Sequence, residues 1–104
     1  MVPIKNKEQL IAVLIANSNE INSYGVKQLG VFGSFVRNEA GEDSDVDFFI
    51  EFYPEKKTFD NFIELSFFLE RLLSRKIEIV TPKSVSKYIA PYILNEVEYV
   101  PLAA

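Results

Sequence analysis

Residues 26–52 read Val26-Lys-Gln-Leu-Gly-Val-Phe32-Gly33-Ser34-Phe-Val-Arg37-Asn-Glu-Ala-Gly-Glu-Asp-Ser44-Asp45-Val46-Asp47-Phe-Phe-Ile-Glu-Phe52. Two β-prone runs, Val26–Phe32 and residues 45–52, flank a glycine break and a polar loop at 39–44. The connection is short for a right-handed parallel crossover, which takes about a dozen residues or more. The two strands are therefore expected to be antiparallel neighbours. Gly33-Ser34 interrupts the first run sharply, and residues 35–37 suit a short helical turn.

Working outward, Asn6-Lys7-Glu8-Gln9 has the form of a helix start, with Asn6 as N-cap and Gln9 three residues on. Leu10, Val13, Leu14 and Ile21 then recur at helical spacing, and the asparagines and Gly25 end that helix. Residues 54–57 form a connection. Thr58 caps a second helix with Phe62, Leu65, Leu69 and Leu72 on one stripe. Arg71 and Arg75 lie near its C-terminal end, where the helix dipole favours cations. Residues 76–80 read as a short strand closed by Thr81-Pro82. Pro91 divides the tail into two short helices, because proline cannot sit inside one but suits the start of the next. The order predicts an α/β (α+β) chain: a small mixed β-sheet with helices packed on it. Its 104 residues fit a single domain, 1–104, and a 48% hydrophobic content supplies one core.

Composition narrows the chemistry. There is no cysteine, so disulfides and thiolate metal sites are excluded, and no histidine, so imidazole catalysis and imidazole metal sites are excluded too. A metal must be held by oxygen, which favours magnesium or manganese. The net charge of -4 argues against broad nucleic-acid binding. No apolar run is long enough to span a membrane, and no apolar signal core follows the N-terminus. A cytoplasmic protein is expected.

Three features could carry chemistry. Gly33 lets the backbone approach a ligand closely, and Ser34 offers its hydroxyl and amide to an anion. Alone, the pair equally suits a glycine turn with a serine cap. Asp45 and Asp47 point to one strand face, about 6.5–7 Å apart, where two carboxylates can share divalent metals. Val46 and Phe48 take the opposite, core face, and Phe49 on the carboxylate face argues against a simple solvated edge. Alone, this pair also suits an acidic turn after Glu42-Asp43-Ser44. Glu78 stands between Ile77 and Ile79 and faces away from them. It either meets a partner or lies on a surface-facing edge strand.

In combination, Gly33-Ser34, ten residues, then Asp45-x-Asp47 resembles the signature of the DNA polymerase β-like nucleotidyltransferase superfamily. Gly33-Ser-Phe-Val-Arg37 followed by Ser44-Asp-Val-Asp-Phe48 is similar to its minimal nucleotidyltransferase branch. That branch comprises short bacterial and archaeal proteins, often the antitoxin half of a pair with a HEPN-domain toxin. Thr58-Phe-Asp-Asn-Phe62, Arg75-Lys-Ile-Glu-Ile-Val-Thr81 and Pro91-Tyr-Ile-Leu-Asn-Glu96 extend the likeness over most of the chain.

The resemblance implies a polymerase β palm-like fold in which Gly33 and Ser34 cradle a triphosphate. Arg37, one turn on, either reaches the phosphates or is an ordinary surface arginine. Asp45 and Asp47 would hold metal, and Glu78 takes the place of a third carboxylate that serves as base and metal ligand. Two departures stand out: the family's usual aspartate is Glu78 here, and its common glycine after the arginine is Asn38, which tolerates left-handed backbone. The implied activity is transfer of a nucleoside monophosphate, AMP from ATP with magnesium or manganese, to a tyrosine hydroxyl of a partner HEPN toxin. The alternative is a non-catalytic nucleotide-binding module that neutralises its partner by stoichiometric contact. A homodimer or a complex with that partner is expected. Tyr53, Phe59, Tyr92 and Tyr99 are candidates for such an interface, although core packing is the commoner fate of aromatics.

Overall fold

In the computed structural model, which describes residues 3–102, the Asn6 side chain accepts a hydrogen bond from the Gln9 N–H at 2.8 Å and opens α1 (Lys7–Ala16). The Gln9 side chain accepts in turn from the Lys5 N–H at 2.7 Å, one residue upstream of the usual capping box. The helix does not run on towards Gly25 as its spacing predicts. At Asn17 the side-chain amide donates to the Val13 carbonyl at 2.8 Å, and the Ser18 hydroxyl donates to the Ile15 carbonyl at 2.6 Å. Such local bonds compete with the helical ladder, and a separate α2 (Ser18–Ser23) follows. Leu10, Leu14 and Ile21 are nonetheless all fully buried. The spacing identified the inward face and missed the break.

Strands β1 (Val26–Phe32) and β2 (Val46–Phe52) pair antiparallel, with Leu29 opposite Ile50 and Val31 opposite Phe48. Between them lies a 3₁₀ turn at Gly33–Phe35. Thr58 caps α3 (Phe59–Leu73), its hydroxyl accepting from the Asn61 N–H at 3.1 Å. The buried stripe is Leu65, Leu69 and Leu73, while Leu72 is only partly buried against the core. Ser74, in left-handed backbone at φ 52°, ends the helix. α3 then crosses over to β3 (Ile77–Val80), which runs parallel to β2.

The tail departs from expectation. It contains one helix, α4 (Ala90–Glu96), with Pro91 in its first turn. Turns replace the other predicted helix; the Ser84 hydroxyl accepts from the Thr81 N–H and donates to the Thr81 carbonyl, both at 3.0 Å. A two-residue strand, β4 (Glu98–Tyr99), then pairs antiparallel with β1. The sheet order is β3-β2-β1-β4.

One sheet face carries the main core. Leu29, Val31, Val46, Phe48 and Ile50 are fully buried there with Leu10, Leu14, Leu65 and Leu69 from the helices. Each such side chain contributes about 1.5–3 kcal/mol relative to exposure. The tail passes the opposite face so closely that a Cβ at Gly30 would collide with Val97. Tyr53, Phe59, Tyr92 and Tyr99 are all exposed, against the expectation that most would enter the core. No helix among the described residues is long and apolar enough to cross a membrane.

Candidate active site

At the end of β1 the chain turns through Gly33 at φ 81°, a left-handed conformation that glycine adopts without steric cost. The close packing is equally demanding, since a Cβ at Gly33 would collide with the Asp47 carboxylate. The glycine turn and the acidic strand therefore touch. The Gly33 carbonyl accepts from the Val36 and Arg37 N–H groups, both at 3.1 Å, and the Ser34 carbonyl accepts from the Glu39 N–H at 2.8 Å. The Ser34 hydroxyl makes no hydrogen bond among the described residues. Asn38 closes the turn at φ 59°, the conformation for which a glycine or asparagine is suited.

Arg75 holds this region together. Its guanidinium lies 4.9 Å from the centroid of the buried Phe35 ring. It donates to the carbonyls of Ser44 at 2.7 Å, Gly41 at 2.9 Å and Ile4 at 3.0 Å. One side chain thus ties the glycine turn to the loop that delivers Asp45. Sequence position suggests only a cation near a helix end.

Asp45 is exposed just before β2, Asp47 is half-buried and Glu78 is exposed on β3. Asp47 and Glu78 are register partners in parallel strands, so their side chains share a face, with Asp45 two residues before. Glu78 lies exposed on the edge strand, in register with Asp47 of β2. Burial pushes the Asp47 carboxyl up to about 6; the negative charges of Glu78, Asp45 and Glu96 add to the rise, and Arg37 opposes it. An all-oxygen donor set with uncompensated negative charge fits a hard divalent cation. Among the described residues no three acids converge into a preformed metal cage. Asp47 is packed against Gly33, while Asp45 and Glu78, being exposed, are free to turn towards an ion.

Glu96, the last residue of α4, enters the site without having been assigned any role from sequence. Its Oε2 accepts from the Gly33 N–H and its Oε1 from Arg37 Nη1, both at 2.8 Å. Burial alone would raise the Glu96 carboxyl, but the Arg37 and Gly33 hydrogen bonds outweigh it and hold the group below its usual range. Arg37 Nε also donates to Glu39 at 3.0 Å. Gly33 and Glu96 stand 63 positions apart in the chain, so no local spacing reveals the contact. Beside Asp45 lies an open cleft of about 390 Å³, lined by Glu42, Asp43, Ser44, Asp45, Arg75 and Lys76 among others.

A glycine-serine turn thus packs against an acidic strand, with a third carboxylate in register. The family model described as Nucleotidyltransferase domain matches residues 15–100. The chain belongs to the nucleotidyltransferase family. The protein adenylyltransferase MntA of Thermococcus cleftensis is 43% identical over 94 residues, covering 89% of this chain and 94% of that protein. A solved structure assigned as a minimal nucleotidyltransferase superposes with a TM-score of 0.78 at 31% identity, covering 93% of this chain and 96% of the other. The fold also recurs, with a TM-score of 0.56 at 16% identity, in the solved complex of the tri-AMPylated Shewanella oneidensis HEPN toxin with MNT antitoxin, covering 85% of this chain and 71% of that one. The mixed four-stranded sheet is that of a minimal nucleotidyltransferase, and the acids of this nucleotidyltransferase lie on the face away from its main core.

Proposed function

We propose that this nucleotidyltransferase moves AMP from ATP to a tyrosine hydroxyl of a partner HEPN-domain toxin, and so acts as an antitoxin. The contact between Gly33 and Asp47 is the observation that carries the reading, because it brings a phosphate-binding turn against acidic donors with Glu78 in register. The 43% identity to MntA supports protein as the acceptor, and the AMP groups on the Shewanella toxin support the modification.

In this reading Gly33 and Ser34 bind the triphosphate, with the uncommitted Ser34 hydroxyl donating to it, and Arg37 neutralises phosphate charge. Asp45, Asp47 and Glu78 would hold magnesium or manganese. The ion supplies charge neutralisation and lowers the pKa of the acceptor hydroxyl. The acceptor oxygen forms a bond to the α-phosphorus, the bond from that phosphorus to the bridging oxygen breaks, and pyrophosphate leaves. Glu78 takes the acceptor proton, since the chain has no histidine for this role. Positioning and electrostatics carry most of the catalysis. The proposed unit is one domain, 1–104, working in the cytoplasm where ATP is available. The toxin, or a second copy of the chain, completes the acceptor side against exposed aromatics such as Tyr92 and Tyr99.

The exposed position of Glu78 and the open acid cluster favour one second reading, an antitoxin that acts by stoichiometric contact. A single experiment separates the two. The chain is incubated in substoichiometric amount with ATP, magnesium and the HEPN-domain partner, and the intact mass of the partner is measured. Gain of AMP on most of the partner supports transfer. Complex formation with no mass gain replaces it with the stoichiometric reading.

A further inference from the structure

We propose that Glu96 is an internal occupant of the phosphate cradle, and that nucleotide binds by displacing it. The inference rests on the reading of Gly33 and Arg37 as phosphate donors. Those two groups, from the turn and the residues after it, converge on one carboxylate and give each of its oxygens a bond of 2.8 Å. A pair of phosphate oxygens has the same charge sign and the same two-point shape. An anion cannot reach these donors while the carboxylate stays, because like charges would then sit within hydrogen-bonding distance of each other.

Glu96 is also placed to leave. It ends a seven-residue helix whose one buried side chain is Ile93, while Tyr92 and Leu94 are exposed. Arg37 keeps its bond to Glu39 when Glu96 withdraws, so the guanidinium remains aimed by the turn. Neither oxygen of Glu96 is held by a further donor among the described residues. A permanent brace that shapes the cradle is the competing role, and it predicts the opposite sign of effect: removing the charge would then weaken nucleotide binding.

The test is calorimetric titration of the whole chain with ATP plus magnesium, and separately with inorganic tripolyphosphate, for the wild type, Glu96→Gln and Glu96→Ala. Removal of the internal competitor raises apparent affinity by the inverse of the fraction of molecules already open. With about one molecule in ten open in the wild type, both probes bind about tenfold more tightly to the variants. A wild type that binds ATP while Glu96→Gln binds it equally or more weakly overturns the proposal and leaves the phosphate-site reading standing. If neither wild type nor variant binds ATP, the phosphate-site reading fails and takes this one with it. A measurement on the wild type covers variants that do not fold. Saturating tripolyphosphate must shift both the Gly33 amide resonance and the Glu96 side-chain carboxyl resonance; an unmoved Glu96 carboxyl overturns the proposal.

Discussion

On β2, Val46, Phe48 and Ile50 are fully buried, while Asp45 just before the strand is exposed and Asp47 is half-buried. The two sets alternate along one segment and face opposite ways. Val46, Phe48 and Ile50 meet Leu10, Leu14, Leu65 and Leu69 in a continuous apolar layer. Asp47 instead loses solvent beside Glu78 and Asp45, and burial first, then those negative charges, raises its pKa. Stability therefore comes chiefly from one face of the sheet, while the other carries Asp47 at some expense to stability. Active sites commonly retain such costly arrangements because the chemistry needs them.

Substitutions on the two faces should then separate activity from stability. The largest effect is expected from the double variant Asp45→Asn, Asp47→Asn. AMP transfer should fall on the order of a thousandfold or more, as when the main charge-stabilising groups of a site are lost. Its thermal midpoint should hold or rise, because like-charge repulsion is relieved. Initial transfer rates and a melting curve check both halves, and wild-type transfer by the double variant would remove these acids from the site. On the opposite face, Phe48→Ala should cost about 3–5 kcal/mol in urea unfolding, through lost burial and the cavity left behind. A loss under about 1 kcal/mol would mean that the core layer does not carry the fold.

Glu78 tests the edge of the polar face. Glu78→Gln should cut turnover roughly a hundredfold, the scale of a misplaced or missing catalytic group, with little change in ATP affinity. Glu78→Asp should retain or improve turnover, because the resemblance to minimal nucleotidyltransferases implies an aspartate at that place. Turnover at the wild-type rate in Glu78→Gln would reduce Glu78 to a solvated strand residue.

The smallest expected effect is on the pH dependence of stability. The folded-state pKa of Asp47 is about 6 against an ordinary 3.8, so the folded chain holds the proton more tightly than the unfolded one. The resulting stability is fully present below about 3.8 and is lost as pH rises through about 6. Magnesium-nucleotide affinity should rise over the same window, since a ligating carboxylate must be ionised. Metal-free melting between pH 4 and pH 7 should therefore show a downward contribution that Asp47→Asn removes. Identical pH profiles for the two proteins would contradict it.

Where the cause was local, the residues alone sufficed. The alternation through 45–52 assigned Val46 and Phe48 to the core and Asp45 and Asp47 to the other face, and the side-chain period of a strand leaves no other choice. The Asn6 and Thr58 caps, the antiparallel pairing across a short connection and the left-handed Asn38 are likewise settled within a few neighbouring residues. Tertiary structure decided what depended on distant partners. β4 is too short to mark itself and exists through pairing with β1. Arg75 becomes a clamp when Phe35, Gly41 and Ser44 gather around it. Glu96 joins the site because the chain folds its last helix back across the sheet to Gly33, and sequence periodicity extends over a few turns whereas that contact spans most of the chain.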